Sequence, residues 1–284
     1  MSDQPAPIDS KTKLGFIGGG NMGKAIIEGL LKANVCQPDQ IYVSHPSSTK
    51  SKKFTHLSIQ NETEDNEFVV RNCDVIVLCV KPQILESVCK SLSHLFDHKK
   101  HLFVSICAGI NVHKLEKLLG GDSNACKLRL ARCTLNTAAL IGSSCSVFSQ
   151  NGSLSDHDKS LVSKLLSSVG PCMGEIKDCD MDAAMAVCSC GIAYMYVMAE
   201  AMADGGVKMG LTRSMALSLA MQTMKGAGEL MQQQFGIKHP MQLKDEVCSP
   251  GGTTIQGVHE LERNGFRNAV ICAVEAATNR AKQF

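Results

Sequence analysis

Apolar residues in the first half of the chain fall into short blocks, at residues 13–17, 40–44, 74–80, 101–106, 128–131 and 144–148. The stretches between most of them carry helical spacing, beginning with residues 24–33. Short, nearly continuous apolar strands alternating with helices are what a parallel sheet covered on both faces requires. From about Ser153 the period becomes helical: residues 156–169, 178–207 and 213–235, then two closing helices. The fold class this predicts is α/β. An N-terminal Rossmann-like parallel sheet spans residues 13–176 behind a flexible arm at residues 1–12, and an all-helical domain occupies residues 177–284.

Within the helical half, residues 183–199 carry no charged side chain. That is near the lower limit for a membrane span, but the stretch is rich in Ala, Met, Cys, Ser and Gly and is flanked by acids. A helix that is apolar on every side needs to be buried on every side, which a small domain achieves best against another subunit. A homodimer is therefore expected and a membrane span is not.

The first strand, residues 13–17, runs into Gly18-x-Gly20-x-x-Gly23 and then a helix. The first glycine permits a tight turn, the second lets the backbone approach a pyrophosphate, and the third lets helix pack on strand. The order strand, glycine turn, helix supplies the context of a dinucleotide site. An acid about 20 residues further on would bind the ribose hydroxyls of NAD, but from Ser44 the chain reads His45, Pro46, then hydroxyls and lysines to Lys53, with no carboxylate before Glu62. Such a segment suits a 2′-phosphate, and NADPH is expected over NADH, although NADH remains possible. The same residues also suit an ordinary solvated loop. For His45 two roles stay open: contact with that phosphate when protonated, or shaping of the turn before Pro46. Val80-Lys81-Pro82-Gln83 and Ile106-Cys107-Ala108-Gly109 follow later strands, on the edge where ligands of open α/β sheets bind, and they also read as plain strand punctuation.

Composition narrows the class. The 284 residues carry a formal charge of +2 and are 44% apolar, so no strong field invites nucleic acid. Fourteen cysteines in a chain too long to need stapling, with no secretory signal, read as reduced thiols of a cytoplasmic protein, and their spacing suits no metal.

Near the C-terminus stands Ser249-Pro250-Gly251-Gly252-Thr253-Thr254. Ser249 reads as an N-cap and Pro250 as a first-turn residue, and the glycines leave amides uncovered at a helix start. A carboxylate suits those amides, with the hydroxyls of Thr253 and Thr254 in reach; a capped helix without ligand fits as well.

Taken together, residues 15–23, Val80-Lys81-Pro82, Cys107-Ala108-Gly109, the Ser-Pro-Gly-Gly-Thr-Thr-Ile run and residues 273–282 resemble pyrroline-5-carboxylate reductases, from about Lys13 to the C-terminus. The resemblance implies reduction of the cyclic imino acid 1-pyrroline-5-carboxylate to L-proline by NAD(P)H, the last step of proline biosynthesis. It also implies a helical dimerisation and substrate domain, with dimers assembled into a pentamer of dimers. Cofactor contacts would fall on Gly18, Gly20, Asn21, Met22, Ser44, His45, Asn66, Cys79, Val80, Lys81, Pro82, Ile106, Cys107 and Ala108. The substrate carboxylate would fall on Ser249, Gly251, Gly252, Thr253 and Thr254, with the Thr254 hydroxyl on the ring nitrogen as the catalytic contact. Residues 132–138 lack two prolines usual in that family, and residues 188–194 read Cys-Ser-Cys-Gly-Ile-Ala-Tyr where it has Ser-Gly-Ser-Gly-Pro-Ala-Tyr. The alternatives are a β-hydroxyacid dehydrogenase, whose central-helix lysine is missing here, and a catalytically silent NADPH-binding scaffold.

Overall fold

A computed structural model describes residues 5–46, 53–121 and 128–283. Eight strands form one sheet in the order β3-β2-β1-β4-β5-β6-β7-β8. They are β1 (Leu14–Ile17), β2 (Ile41–Ser44), β3 (Asn61–Thr63), β4 (Val75–Leu78), β5 (Leu102–Ser105), β6 (Arg129–Leu135), β7 (Ser146–Gln150) and β8 (Cys172–Glu175). Neighbours are parallel except β6 and β7. Every side chain of β1, β2, β4 and β5 is buried, which is why these strands read as unbroken apolar runs.

Helices α1 (Asn21–Lys32), α2 (Asn66–Asn72), α3 (Pro82–Leu92), α4 (Val112–Leu118) and α5 (Asp156–Ser167) accompany the sheet. Two cores result. Phe16, Ile27, Leu30, Val43 and Leu165 belong to one, and Ile17, Ile76, Leu85, Phe103 and Leu115 to the other. Each fully buried side chain of this size contributes about 1.5–3 kcal/mol relative to exposure. Helix α1 turns Ala25, Ile26, Ile27 and Leu30 inward, at the spacing of one helical stripe.

The chain divides into two compact units, residues 1–189 with 277–284, and residues 190–276. The second is helical: α7 (Gly191–Lys208), α8 (Arg213–Gln233), α9 (Pro240–Val247), α10 (Thr253–Arg263) and most of α11 (Phe266–Ala281). The division falls later than residue 177 because the segment before it is bound to the sheet. The buried Arg132 guanidinium reaches Asp178 at 3.1 Å and Asp182 at 2.6 Å, and Ser189 Oγ donates to the Leu135 carbonyl at 2.7 Å.

Several elements differ from expectation. The single helix expected over residues 178–207 is broken into a short 3-10 turn, α6 (Met181–Met185), a π turn (Ala186–Cys190) and α7, because Cys188 and Ser189 are held by β6 and its following turn. Strands β3 and β8 were not expected, being short and only half-buried, and neither was α9. Gln40 lies in a 3-10 turn and not in β2; its amide donates to the carbonyls of Asp9 and Thr12 at 2.9 Å each. With Ile8 N bonded to Val35 O at 2.9 Å, the later part of the N-terminal arm is docked on the segment after α1.

Candidate active site

The strand order reverses between β1 and β4, and the parallel register aligns Ile17 with Ser44 and with Leu78, and Leu78 with Ser105. The segments after β1, β2, β4 and β5 therefore leave the sheet side by side, at the switch point where such sheets bind ligands. Gly18 N donates to Ser44 O at 3.0 Å, Cys79 N to Ile17 O at 2.9 Å, and Ile106 N to Leu78 O at 3.2 Å.

The three glycines have separable duties. Gly18 sits at φ 110°, and a Cβ there would come within 2.9 Å of the Cys79 carbonyl. A Cβ on Gly23 would lie 2.5 Å from Gly18 O, so both are demanded by the fold. A Cβ on Gly20 would meet nothing. Gly20 is the N-cap of α1, supplies no side-chain cap and is followed by a first turn with no acid. The turn thus presents backbone amides and the positive helix pole at an open place that a side chain would fill, and a pyrophosphate fits it.

Ser44 and His45 are buried and engaged within the protein. Ser44 Oγ donates to Asn66 Oδ1 at 2.6 Å, and His45 Nε2 lies 2.7 Å from Glu62 Oε1 with both side chains almost wholly buried. The same carboxylate accepts from Lys53 N at 2.7 Å and Phe54 N at 3.3 Å. The Glu62 carboxylate thus links the His45 ring to the backbone at Lys53 and Phe54. The hydroxyl and lysine segment from which NADPH was expected lies, at residues 47–52, outside the described residues.

A cavity of about 230 Å³ opens beside the glycine turn, lined by Met22, Ile106, Cys107 and Ala108 of the expected contacts. The other expected cofactor residues, Gly18, Gly20, Asn21, Ser44, His45, Asn66 and Cys79 to Pro82, are not in its wall. Its remaining wall includes Thr134, Asn136, Thr137 and Ser189, none of them an expected contact, although all four lie in the two segments, 132–138 and 188–194, that depart from the family's usual sequence. Among the described residues, its wall holds no His, Lys, Asp or Glu, and its one charged residue, Arg132, is countered by Asp178 and Asp182. Burial pushes the Cys107 thiol up to about 11, with only partial relief from Ser105, and burial likewise holds Cys79 and Cys133 protonated. The cavity wall therefore offers no strong acid or base.

In the helical unit, Ser249-Pro250-Gly251-Gly252 forms a reverse turn closed by Gly252 N donating to Ser249 O at 3.0 Å. Pro250 second and Gly251 third, at φ 68°, is the arrangement that type II turns favour. Ser249 is thus not the N-cap, nor Pro250 a first-turn residue: the cap is Gly252, without a side-chain bond, and α10 begins at Thr253. The Ser249 hydroxyl occupies the place where a Cβ on Gly252 would stand. The exposed turn gathers Ser249, Gly251, Gly252, Thr253 and Thr254 around uncapped amides, a donor set for a carboxylate.

A doubly covered sheet with a phosphate turn at its switch point and a cavity beside it defines a Rossmann-type dinucleotide oxidoreductase. Residues 178–284 match the family model "Pyrroline-5-carboxylate reductase dimerisation", and residues 13–109 match "NADP oxidoreductase coenzyme F420-dependent". The pyrroline-5-carboxylate reductases of Pisum sativum and Glycine max are 40% and 39% identical, covering 100% and 98% of this chain and 99% and 98% of theirs. A crystal structure of the Plasmodium falciparum enzyme with NADP bound superposes with a TM-score of 0.83 at 36% identity, covering 96% of this chain and 98% of that one. The chain belongs to the pyrroline-5-carboxylate reductase family.

Proposed function

We propose that the chain reduces 1-pyrroline-5-carboxylate to L-proline with NADPH. The observation that carries this reading is the full-length match to reductases of that name, joined to a glycine turn and an uncapped Ser249 to Thr254 turn that suit its two ligands. A dinucleotide would be held by the amides from Gly18 to Met22 and by the segments after β2, β4 and β5; when bound, NADPH supplies the hydride. The chain's own residues do the rest. Ser249 and the amides from Gly251 to Thr254 bind the substrate carboxylate and so select the face of the ring, while the Thr254 hydroxyl accepts the bond of the protonated ring nitrogen. A protonated imine is already electrophilic, so no further acid is needed. Correct placement alone can account for roughly 7–11 kcal/mol of barrier.

Mixing the protein with 1-pyrroline-5-carboxylate and either nicotinamide cofactor tests the reading: NADPH consumption matched by proline is the expected result. Folded protein that binds NADPH yet forms no proline with either cofactor would overturn the reading in favour of the silent scaffold or the dehydrogenase. We further propose residence in the cytoplasm and assembly of dimers into a pentamer of dimers, which subcellular fractionation and native mass spectrometry test.

A further inference from the structure

Two thiols outside the cavity meet where β7 begins and the π turn passes. Cys145 Sγ and Cys188 Sγ lie 3.2 Å apart, although the residues are 43 positions apart in sequence. Cys188 Sγ also donates to the Cys145 carbonyl at 2.9 Å. The Asn136 amide spans the pair, donating from Nδ2 to Cys145 Sγ at 3.7 Å and to the Cys188 carbonyl at 3.1 Å. Both cysteines are half-buried, within reach of a small oxidant, and both belong to the first compact unit. The hydrogen bond shared by the two sulfurs brings the Cys145 thiol down to about 6, against the opposing effect of burial and with help from its own backbone. Cys79, Cys107 and Cys133, by contrast, are pushed up by burial. One thiol of the pair is therefore poised as a thiolate and the other stands at the distance of a resolving partner.

We propose that Cys145 and Cys188 form a redox modification site that closes to an intrachain disulfide under hydroperoxide. The Cys145 thiolate attacks one peroxide oxygen; the S–O bond forms, the O–O bond breaks and hydroxide leaves. The Cys188 sulfur then attacks the sulfenic sulfur, the S–S bond forms, and the S–O bond breaks. The proton of Cys188 leaves with that oxygen as water. Two thiols lose two electrons, and one hydroperoxide becomes two waters when it is hydrogen peroxide. A dithiol reductant reverses the bond by exchange. The closed form ties the start of β7 to the π turn that carries Ser189 into the cavity wall, with Asn136, another wall residue, bonded to both halves. The site does not depend on the reductase reading.

The test exposes the native full-length protein to stoichiometric hydrogen peroxide, quenches with an alkylating agent, and maps the peptides. The expected product is a single linked pair, Cys145 with Cys188, removed by dithiothreitol. In Cys188→Ser the link is lost and a dimedone adduct accumulates on Cys145; in Cys145→Ser neither forms. Alkylation of Cys145 at pH 6 should reach about half its rate at pH 8, where an ordinary thiol changes by roughly a hundredfold. Both cysteines remaining fully alkylatable after peroxide, while the exposed Cys179 and Cys272 are oxidised, would overturn the proposal, as would a link that forms only after denaturation.

Discussion

At the scale of single residues, two neighbouring glycines separate fold from function. Gly18→Ala places a side chain at φ 110° against the Cys79 carbonyl, so it should lower stability by about 1–3 kcal/mol, read as a fall in Tm. Gly20→Ala meets nothing in the protein and should keep Tm while raising the Kd for NADPH by about tenfold, ~1.4 kcal/mol, because the methyl group stands where the pyrophosphate must approach. Equal effects on both quantities for the two variants would show that the turn is merely structural. Thr254→Ala should lower kcat by roughly 10- to 150-fold, the worth of one hydrogen bond to a charged group of about 1.5–3 kcal/mol, with NADPH affinity unchanged; full kcat in that variant refutes the assigned contact. The glycine turn was legible because backbone geometry restricts which residues can stand there, whereas in the Ser249 to Thr254 run a helix start was read but its cap was placed at Ser249 and not at Gly252. The inward role of His45 was not legible, because Glu62 reaches it from another strand.

At the scale of elements, β1, β2, β4, β5, α1 and α8 could be read from periodicity, since burial on both faces or on one stripe leaves a period behind. Short edge strands such as β3 and β8 leave none, and the π turn is imposed by bonds from Thr134, Leu135 and Asn136 that no local pattern announces. Part of the cavity wall, Met22 and Ile106 to Ala108, was legible; that Asn136 and Ser189 complete it was not, because those two come together only through tertiary contacts. Helix α5 offers a test of one such contact. Ser155 and Asp158 form a capping box, and the buried Asp158 carboxylate pairs with Arg129 of β6. Burial pushes this carboxyl up, yet the bonds from Arg129 and Ser155 together outweigh it and hold the carboxyl below its usual range. Its contribution to stability is thus complete above the unfolded carboxylate value of about 3.9 and is lost as pH falls through the lower folded value. Asp158→Asn should cost about 1–3 kcal/mol at pH 7 by urea unfolding, and the gap from the parent should close below pH 4. A gap that stays constant down to pH 2 would show that the ionised form contributes nothing.

At the scale of the whole molecule, an 18-residue window within Asp178–Lys208 has a mean hydropathy of 1.4, long and apolar enough by composition to cross a membrane, yet only 11% of it is buried within one chain. Tyr196, Val197, Leu219 and Met221 stand exposed on α7 and α8, inside the region that matches the dimerisation model. Val197→Glu should leave the protomer folded, because a surface substitution shifts stability by only about 0.5 kcal/mol, while light scattering at micromolar concentration reports single chains in place of the dimer or its assemblies. An unchanged mass would put the contact surface elsewhere. A helix left this bare has a consequence for how the protein lives and dies. Pairing adds to stability by mass action, so dilution lowers the apparent stability, the melting temperature climbs with protein concentration, and each newly synthesised copy remains sticky until it meets its twin.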